Sequence, residues 1–277
     1  MTSALSLPAP GTVTGLMAAV AQAVILPRFR QLASGDIRQK TGPTDLVTIA
    51  DEEAEALLTE RLSALLPGST VVGEEAAAAD PAVLDRLAGP GPVWVIDPVD
   101  GTLNFASGRP AFAVIVALVA GGETRMGWIH DPLNRRTAWA VAGQGAWMSA
   151  DGEGEDRRLR VAAPVPLAAM TGAMSTRYCG PDMGRRLEAR ESGLGPIVCL
   201  ASAAHEYIRL ADGLSHFSLY HRLMPWDHAA GVLIHAEAGG HTALAGGAPY
   251  RPTVTEGRLL AAPDRNSWDM LNDYLFG

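Results

Sequence analysis

Apolar positions change their period several times along the chain. Residues 12–32 alternate small and large apolar positions at helical spacing, which predicts a first helix. Residues 34–45 are polar and punctuated by Gly35, Gly42 and Pro43, as in a loop or hairpin. From 51 to 66, Ala54, Leu57, Leu58, Leu62 and Leu65 share one face, an amphipathic helix ended by Pro67-Gly68. Thr70-Val71-Val72-Gly73 and Val93-Trp94-Val95-Ile96 are continuous apolar runs of strand length. Acid stops each, at Glu74-Glu75 and at Asp97-Pro98. Pro98 has no N–H to give to a ladder, so strand pairing is expected to stop there. Ala111–Ala120, Thr124–His130 and Arg136–Val141 resemble an antiparallel meander, with turns at Gly121-Gly122 and Asn134-Arg135.

Charge, glycine and proline gather between Asp151 and Pro166, the best place for an internal boundary. The chain then divides into two α/β halves, 1–150 and 151–277, the first richer in antiparallel strands. In the second half, Met183–Glu191, Ala201–Leu210 and Trp226–Ala238 read as helices and His216–Leu219 as extended chain. Near the N-terminus, the apolar stretch Thr14–Leu26 carries Gln22 and meets Pro27 and Arg28. It is expected to be too short and too broken to span a bilayer.

The chain has 277 residues, 48% apolar and 19% charged, which is enough for a sizeable core. That excludes a disordered tail, a collagen-like fibre and a disulfide-stapled miniprotein. Net charge is −8 and no basic stripe occurs, so no nucleic-acid partner is expected. Lys40 is the only lysine. Cys179 and Cys199 match no zinc spacing and read as reduced, partly buried thiols, which suits the cytoplasm. The N-terminus lacks the basic region of a signal peptide.

The chemistry concentrates where strands end in acid. In Asp97-Pro98-Val99-Asp100-Gly101-Thr102, two carboxylates can converge in a turn where Gly101 allows close backbone approach and Thr102 adds a hydroxyl. A helix starting there would offer free N–H groups to an anion; the plain alternative is an Asx-capped turn. Glu74 ends the preceding strand, and Asp227 sits near the start of an apolar helix, where it could simply favour the helix dipole. Asp51 could cap the helix that follows it. Glu74, Asp97, Asp100 and Asp227 together form an oxygen-only ligand set, which favours Mg²⁺, Mn²⁺ or Ca²⁺ over zinc.

Four blocks in order carry a resemblance to the inositol monophosphatase family of lithium-sensitive, magnesium-dependent phosphatases. They are Asp45-Leu46-Val47-Thr48 with Asp51, Gly73-Glu74-Glu75, Asp97 to Thr102 with Asn104-Phe105, and Trp226-Asp227 with Ala230-Gly231 and Glu237-Ala238-Gly239-Gly240. The resemblance implies a layered αβαβα sandwich of two subdomains and a homodimer. It implies Mg²⁺-dependent hydrolysis of a small phosphate ester, with two or three Mg²⁺ per site and Mn²⁺ as an alternative. It implies that Glu74, Asp97 and the Val99 carbonyl hold the first metal and that Asp97, Asp100 and Asp227 hold the second. The Gly101 and Thr102 amides receive the phosphate; Glu74 and Thr102, paired with Asp45, orient the attacking water. Lys40 fits a basic position common in the family.

The departures lie on the substrate side. Ser202 and Ala203 stand in the segment that contacts substrate, but Ala201, His205 and Glu206 replace the family's usual glycine, apolar residue and Asp or Asn. Tyr220 falls where inositol phosphatases carry a glutamate for inositol hydroxyls, and a phenol is a weaker, bulkier partner. Histidinol phosphate, fructose 1,6-bisphosphate and 3′-phosphonucleotides are therefore open as substrates, as is a regulatory binding role on the same fold. His205, His221 and His228 are expected to be structural, and Trp226 to pack beneath the metal site.

Overall fold

The computed structural model describes residues 6–42, 45–150 and 154–277, without the side chains of Ser34, Thr41 and Asp45. Helix α1 spans Pro10–Val20 and runs on through a π-helical turn, Ala21–Ile25, and a 3-10 turn, Leu26–Arg28. Strands β1 (Ile37–Gly42) and β2 (Asp45–Thr48) pair antiparallel, the hairpin rather than the loop of the two expected forms. Helix α2 (Ile49–Leu65) starts two residues before the predicted point. Thr48 is its N-cap, and Asp51 closes a capping box by accepting from Thr48 N at 2.9 Å. Strand β3 (Thr70–Gly73) leads into α3 (Glu74–Ala79), and β4 (Val93–Asp100) into α4 (Thr102–Ala106). The meander is β5 (Ala113–Ala120), β6 (Glu123–Asp131) and β7 (Arg136–Val141), extended by β8 (Ala146–Ala150) and β9 (Arg157–Arg158). After it come β10 (Gly172–Met174), α5 (Pro181–Glu191), α6 (Ala203–Ala211), β11 (Phe217–Tyr220) and α7 (Pro225–Glu237). The chain ends with β12 (His241–Leu244), β13 (Leu259–Ala262) and α8 (Arg265–Phe276).

Five layers result. In the central seven-stranded sheet, β3 to β9 lie in chain order, with β3 and β4 parallel and the rest antiparallel. Alternate residues of β4 feed two cores, which is why its sequence is continuously apolar. Trp94 and Ile96 pack with Val13, Met17, Ala54 and Leu58 of α1 and α2. Val93 and Val95 pack with Tyr207 of α6 and Ala230 and Ile234 of α7. The same helices cover Leu259 and Ala261 of the second sheet, ordered β10-β11-β13-β12. Its far face meets Leu187 of α5 and Trp268, Leu271 and Leu275 of α8. This is the layered αβαβα architecture the sequence implied.

Two expectations need correction. Pairing does not stop at Pro98. Asp97 pairs with Ile115 and Asp100 with Ala113, so β4 carries one extra residue in a bulge, and the ladder resumes beyond it. A bulge leaves residues unpaired, so a proline without an N–H costs nothing there. The N-terminal helix is also longer than its sequence break implied: the helical run Pro10–Arg28 has 19 residues and a mean hydropathy of 1.4, enough by length and composition to cross a membrane. Pro27 sits in the closing 3-10 turn, where it does not interrupt the run. Val13, Met17, Val20, Ala21, Val24 and Ile25 of this run are buried in the protein core.

Candidate active site

The bulge in β4 does chemical work. In a regular strand, residues three apart face opposite sides. The extra residue resets the alternation, and Asp97 and Asp100 turn toward one point. Asp227 completes the group from the first turn of α7, and carboxylate oxygens of all three lie within 4.8 Å of one another. Helix α7 reaches this position because it lies very close to β6: a Cβ on Gly127 would sit 2.8 Å from Ala230 Cα. Glu74 follows the end of β3, whose parallel register puts Gly73 beside Ile96, and so lines the same cleft.

Burial raises the pKa of Asp97 well above the usual carboxylate range, and repulsion from Glu74, Asp100 and Asp227 adds to it. Burial, Glu74 and Asp100 do the same to Asp227. Asp100 is also raised by burial, although its carboxylate accepts from Ser202 Oγ and, at 3.1 Å each, from Ala203 N and Ala204 N. Carboxylates placed like this hold protons until a cation replaces them. Hard oxygen donors, close convergence and unrelieved repulsion all fit a divalent cation.

A second acidic layer lies behind the first. Lys40 Nζ donates to Glu74 Oε1 at 2.9 Å and to Glu75 Oε1 at 2.6 Å. Burial disfavours its charge, but the two glutamates outweigh that and raise its pKa. Burial, with Glu74 close by, lifts Glu75 to about 8, and burial lifts Asp51 to about 7. Glu55 accepts from Glu75 N and Ala76 N at 2.8 Å and so caps α3. Thr102 Oγ1 lies 3.2 Å from Asp51 Oδ1 and 3.0 Å from the Val99 carbonyl. The Asp45 side chain, the expected partner of Thr102, is not among the described side chains; among those described, Asp51 is a carboxylate that meets Thr102. Gly101 precedes α4 at φ +83°, a left-handed conformation that glycine adopts without strain, and a Cβ there would strike the Ala111 carbonyl at 2.6 Å.

The cleft, of about 230 Å³, has a different opposite wall. Ser202, Ala203, Glu206, Tyr220, His221, Arg222, Arg177 and Tyr178 line it. Ser202 caps α6, and its Oγ lies 2.9 Å from His205 Nδ1; His205 Nε2 is 3.6 Å from Asp131 Oδ2. Burial lifts Glu206 to about 7 while Leu200 N donates to it at 3.2 Å. Tyr220 is buried and stacks on Tyr207 with ring centroids 5.3 Å apart. His228 Nε2 donates to the Arg222 carbonyl at 2.8 Å, so Nδ1 accepts from Tyr207 OH at 3.1 Å. Both cysteines are free, but Cys199 is exposed rather than partly buried, and it too lines the cleft.

Residues 12–275 match the model of the inositol monophosphatase family. The chain belongs to that family. The Thermotoga maritima fructose-1,6-bisphosphatase/inositol-1-monophosphatase is 33% identical over 205 residues, covering 74% of this chain and 73% of the relative. The Mycobacterium tuberculosis inositol-1-monophosphatase SuhB is 35% identical over 228 residues, covering 77% and 75%. Among solved structures, a Thermotoga maritima IMPase superposes with a TM-score of 0.79 at 26% identity, covering 96% of this chain and 95% of that one. The chain is thus a phosphatase of the inositol monophosphatase family, and its acidic cluster is able to hold a metal.

Within that family frame, the fold brings Asp97, Asp100 and Asp227 together and sets Glu74, Val99, Gly101, Thr102, Ser202, Ala203 and Tyr220 around the same cleft. Sequence reasoning passed over Glu55, Arg177 and Arg222. Glu55 had a readable signal, since it lies four residues after Asp51 on the same helix face. The arginines had none, because only folding brings their two loops together.

Proposed function

We propose that this chain is a Mg²⁺-dependent phosphomonoesterase, with Mn²⁺ as a substitute, acting on a small phosphate ester in a cleft between its halves 1–150 and 151–277. The convergence of Asp97, Asp100 and Asp227 beside the start of α4 carries this reading. Bound at Glu74, Asp97, Asp100, Asp227 and the Val99 carbonyl, two or three cations would supply Lewis-acid activation of water and neutralise charge on the phosphoryl oxygens. The hydroxyl proton of Thr102 is claimed by Asp51 or the Val99 carbonyl. Its lone pair would therefore accept a proton from a bound water and so aim the water oxygen at phosphorus. The amides of Gly101 and Thr102 precede the first intrahelical bond of α4, Phe105 N to Gly101 O, and are set to meet phosphate oxygens. Ser202, Ala203 and Tyr220 bound the space for the leaving alcohol. The chemistry needs no nucleophilic side chain: water attacks, and the ester P–O bond breaks in line.

The same reading includes a cytoplasmic homodimer and inhibition by lithium competing for a cation site near Asp100 and Asp227. Fructose 1,6-bisphosphate stands beside inositol phosphates as a substrate, because the Thermotoga relative is named for both. A phosphate-release assay over a panel of esters tests the proposal. Release should require Mg²⁺ or Mn²⁺, stop with a chelator and return on adding the cation. No release from any ester with either cation would refute it.

A further inference from the structure

The cleft floor is acidic, yet its mouth is not. Strands β10 and β11 are parallel neighbours, so the loops that leave them emerge side by side. The first brings Arg177 and Tyr178, the second His221 and Arg222, and all four line the cleft. Both guanidiniums lie over one ring: Arg177 Cζ is 5.0 Å and Arg222 Cζ 5.7 Å from the Tyr178 centroid. Tyr178 is about half exposed, at 48%, so this stacked trio faces the opening rather than the core. The Arg222 backbone is fixed from below by His228, which is neutral because burial holds its pKa near 4. Among the described lining residues, these two arginines are the ones with permanent positive charge.

We propose that Arg177, Tyr178 and Arg222 form a second anion subsite, and that the preferred substrate is a phosphate ester whose leaving group carries its own negative charge. This rests on the phosphatase reading above and narrows its substrate class. The ester phosphate belongs at the acidic floor, where cations offset the carboxylates. A second phosphate or carboxylate on the same substrate would meet two guanidiniums at the mouth. Guanidinium forks match such oxygens in geometry as well as charge. The Tyr178 ring holds the pair in stacked geometry and keeps their rotamers from being lost entirely to solvent. A neutral polyol leaving group gains nothing from this subsite, and a cationic one is repelled by it. Inositol 1-phosphate should therefore rank below a bisphosphate, and histidinol phosphate lowest. A sugar bisphosphate and a nucleoside 3′,5′-bisphosphate present the same anionic chemistry, and the subsite takes either.

The holoenzyme with Mg²⁺ is assayed for kcat/KM on four esters: fructose 1,6-bisphosphate, adenosine 3′,5′-bisphosphate, inositol 1-phosphate and histidinol phosphate. At least one bisphosphate should exceed inositol 1-phosphate by about tenfold or more, the scale of a charge-assisted contact. Which bisphosphate leads separates sugar from nucleoside. In Arg177→Gln and in Arg222→Gln that ratio should fall about tenfold, and Arg177→Lys should restore part of it. The ratio cancels changes in cation affinity at Asp227, which Arg222 also influences. A wild-type ratio at or below one, or a ratio unmoved in both Gln variants that keep the wild-type circular dichroism spectrum, would overturn the subsite. Calorimetric binding of fructose 6-phosphate, with the floor already filled by Mg²⁺ and saturating inorganic phosphate, reads it without turnover. Its affinity should drop about tenfold in Arg177→Gln, and equal affinities would overturn the proposal. A wild type that binds this ligand through Arg177 but hydrolyses none of the four esters would leave the subsite standing and refute the phosphatase reading instead.

Discussion

The two walls of the cleft are built on opposite principles. The acidic wall comes from the ends of adjacent parallel strands and from tight turns: Glu74 directly follows β3, and Asp97 and Asp100 flank a one-residue bulge in β4. Glu74, Asp97 and Asp100 are close in sequence and fixed by the central sheet, α7 adds Asp227 from far along the chain, and the charges repel one another. The opposite wall collects Arg177, Glu206, Tyr220 and Arg222 from a loop, a helix, a strand end and another loop. Its members are held by packing and by single hydrogen bonds. Damage to the first wall should harm every substrate alike, because it removes the charge that all phosphate esters need met. Damage to the second should change which ester is preferred.

The largest expected effect is at the acidic wall. Asp97→Asn should lower turnover on every ester by about 10²–10³-fold, the usual scale for one electrostatic group. The same variant, melted without divalent cation, should be at least as stable as wild type, since it removes a buried and repelled carboxylate. Wild-type turnover at saturating Mg²⁺ would erase the distinction between the walls.

Glu206 sharpens the comparison by its pH dependence. Burial holds its pKa at about 7 against an ordinary 4.5, so the folded chain keeps a proton that the unfolded chain sheds in that window. Stability therefore falls as pH rises from 4.5 to 7, and the penalty is complete above 7. Glu206→Gln should gain up to about 3 kcal/mol over wild type at pH 8 relative to pH 4.5, measured by denaturant unfolding. Adding Mg²⁺ should relieve the penalty at Asp97, Asp100 and Asp227 but leave this difference in place. A gain that vanishes with Mg²⁺ would make Glu206 part of the acidic wall.

The smallest effect is expected at His205, which touches Ser202 and approaches Asp131. His205→Phe restores an apolar residue and removes one hydrogen bond behind Ser202. It should lower kcat/KM by about 3–10-fold, the size of a single neutral hydrogen bond. The loss should fall unequally on esters with different leaving groups. A uniform loss would place His205 with the acidic wall, through the contact of Ser202 with Asp100.

These differences follow the way the sequence encodes each wall. The continuous apolar runs before Glu74 and Asp97 marked β3 and β4, because strands buried on both faces have no polar side to show. The meander was legible from its glycine and asparagine turns. By contrast, β10, β12 and β13 are three or four residues long and gained definition only from their neighbours in the sheet. The bulge at Pro98 was hidden as well. A proline signals a lost donor, but only the partner strand decides whether the ladder ends or skips a residue.

The sequence by itself determined the family, through four short motifs, and through that resemblance implied the layered fold; it also singled out Asp97, Asp100 and Asp227, because each lies in a motif whose local polarity is self-sufficient. Tertiary structure alone decided that Asp97 and Asp100 face one way, that Asp51 reaches Thr102 from 51 residues away, and that Arg177 and Arg222 share the ring of Tyr178. The physical reason is separation along the chain. Interactions within a turn are written in adjacent residues, whereas contacts between loops 45 residues apart exist only once two strands have paired in parallel and the helices beneath them have packed.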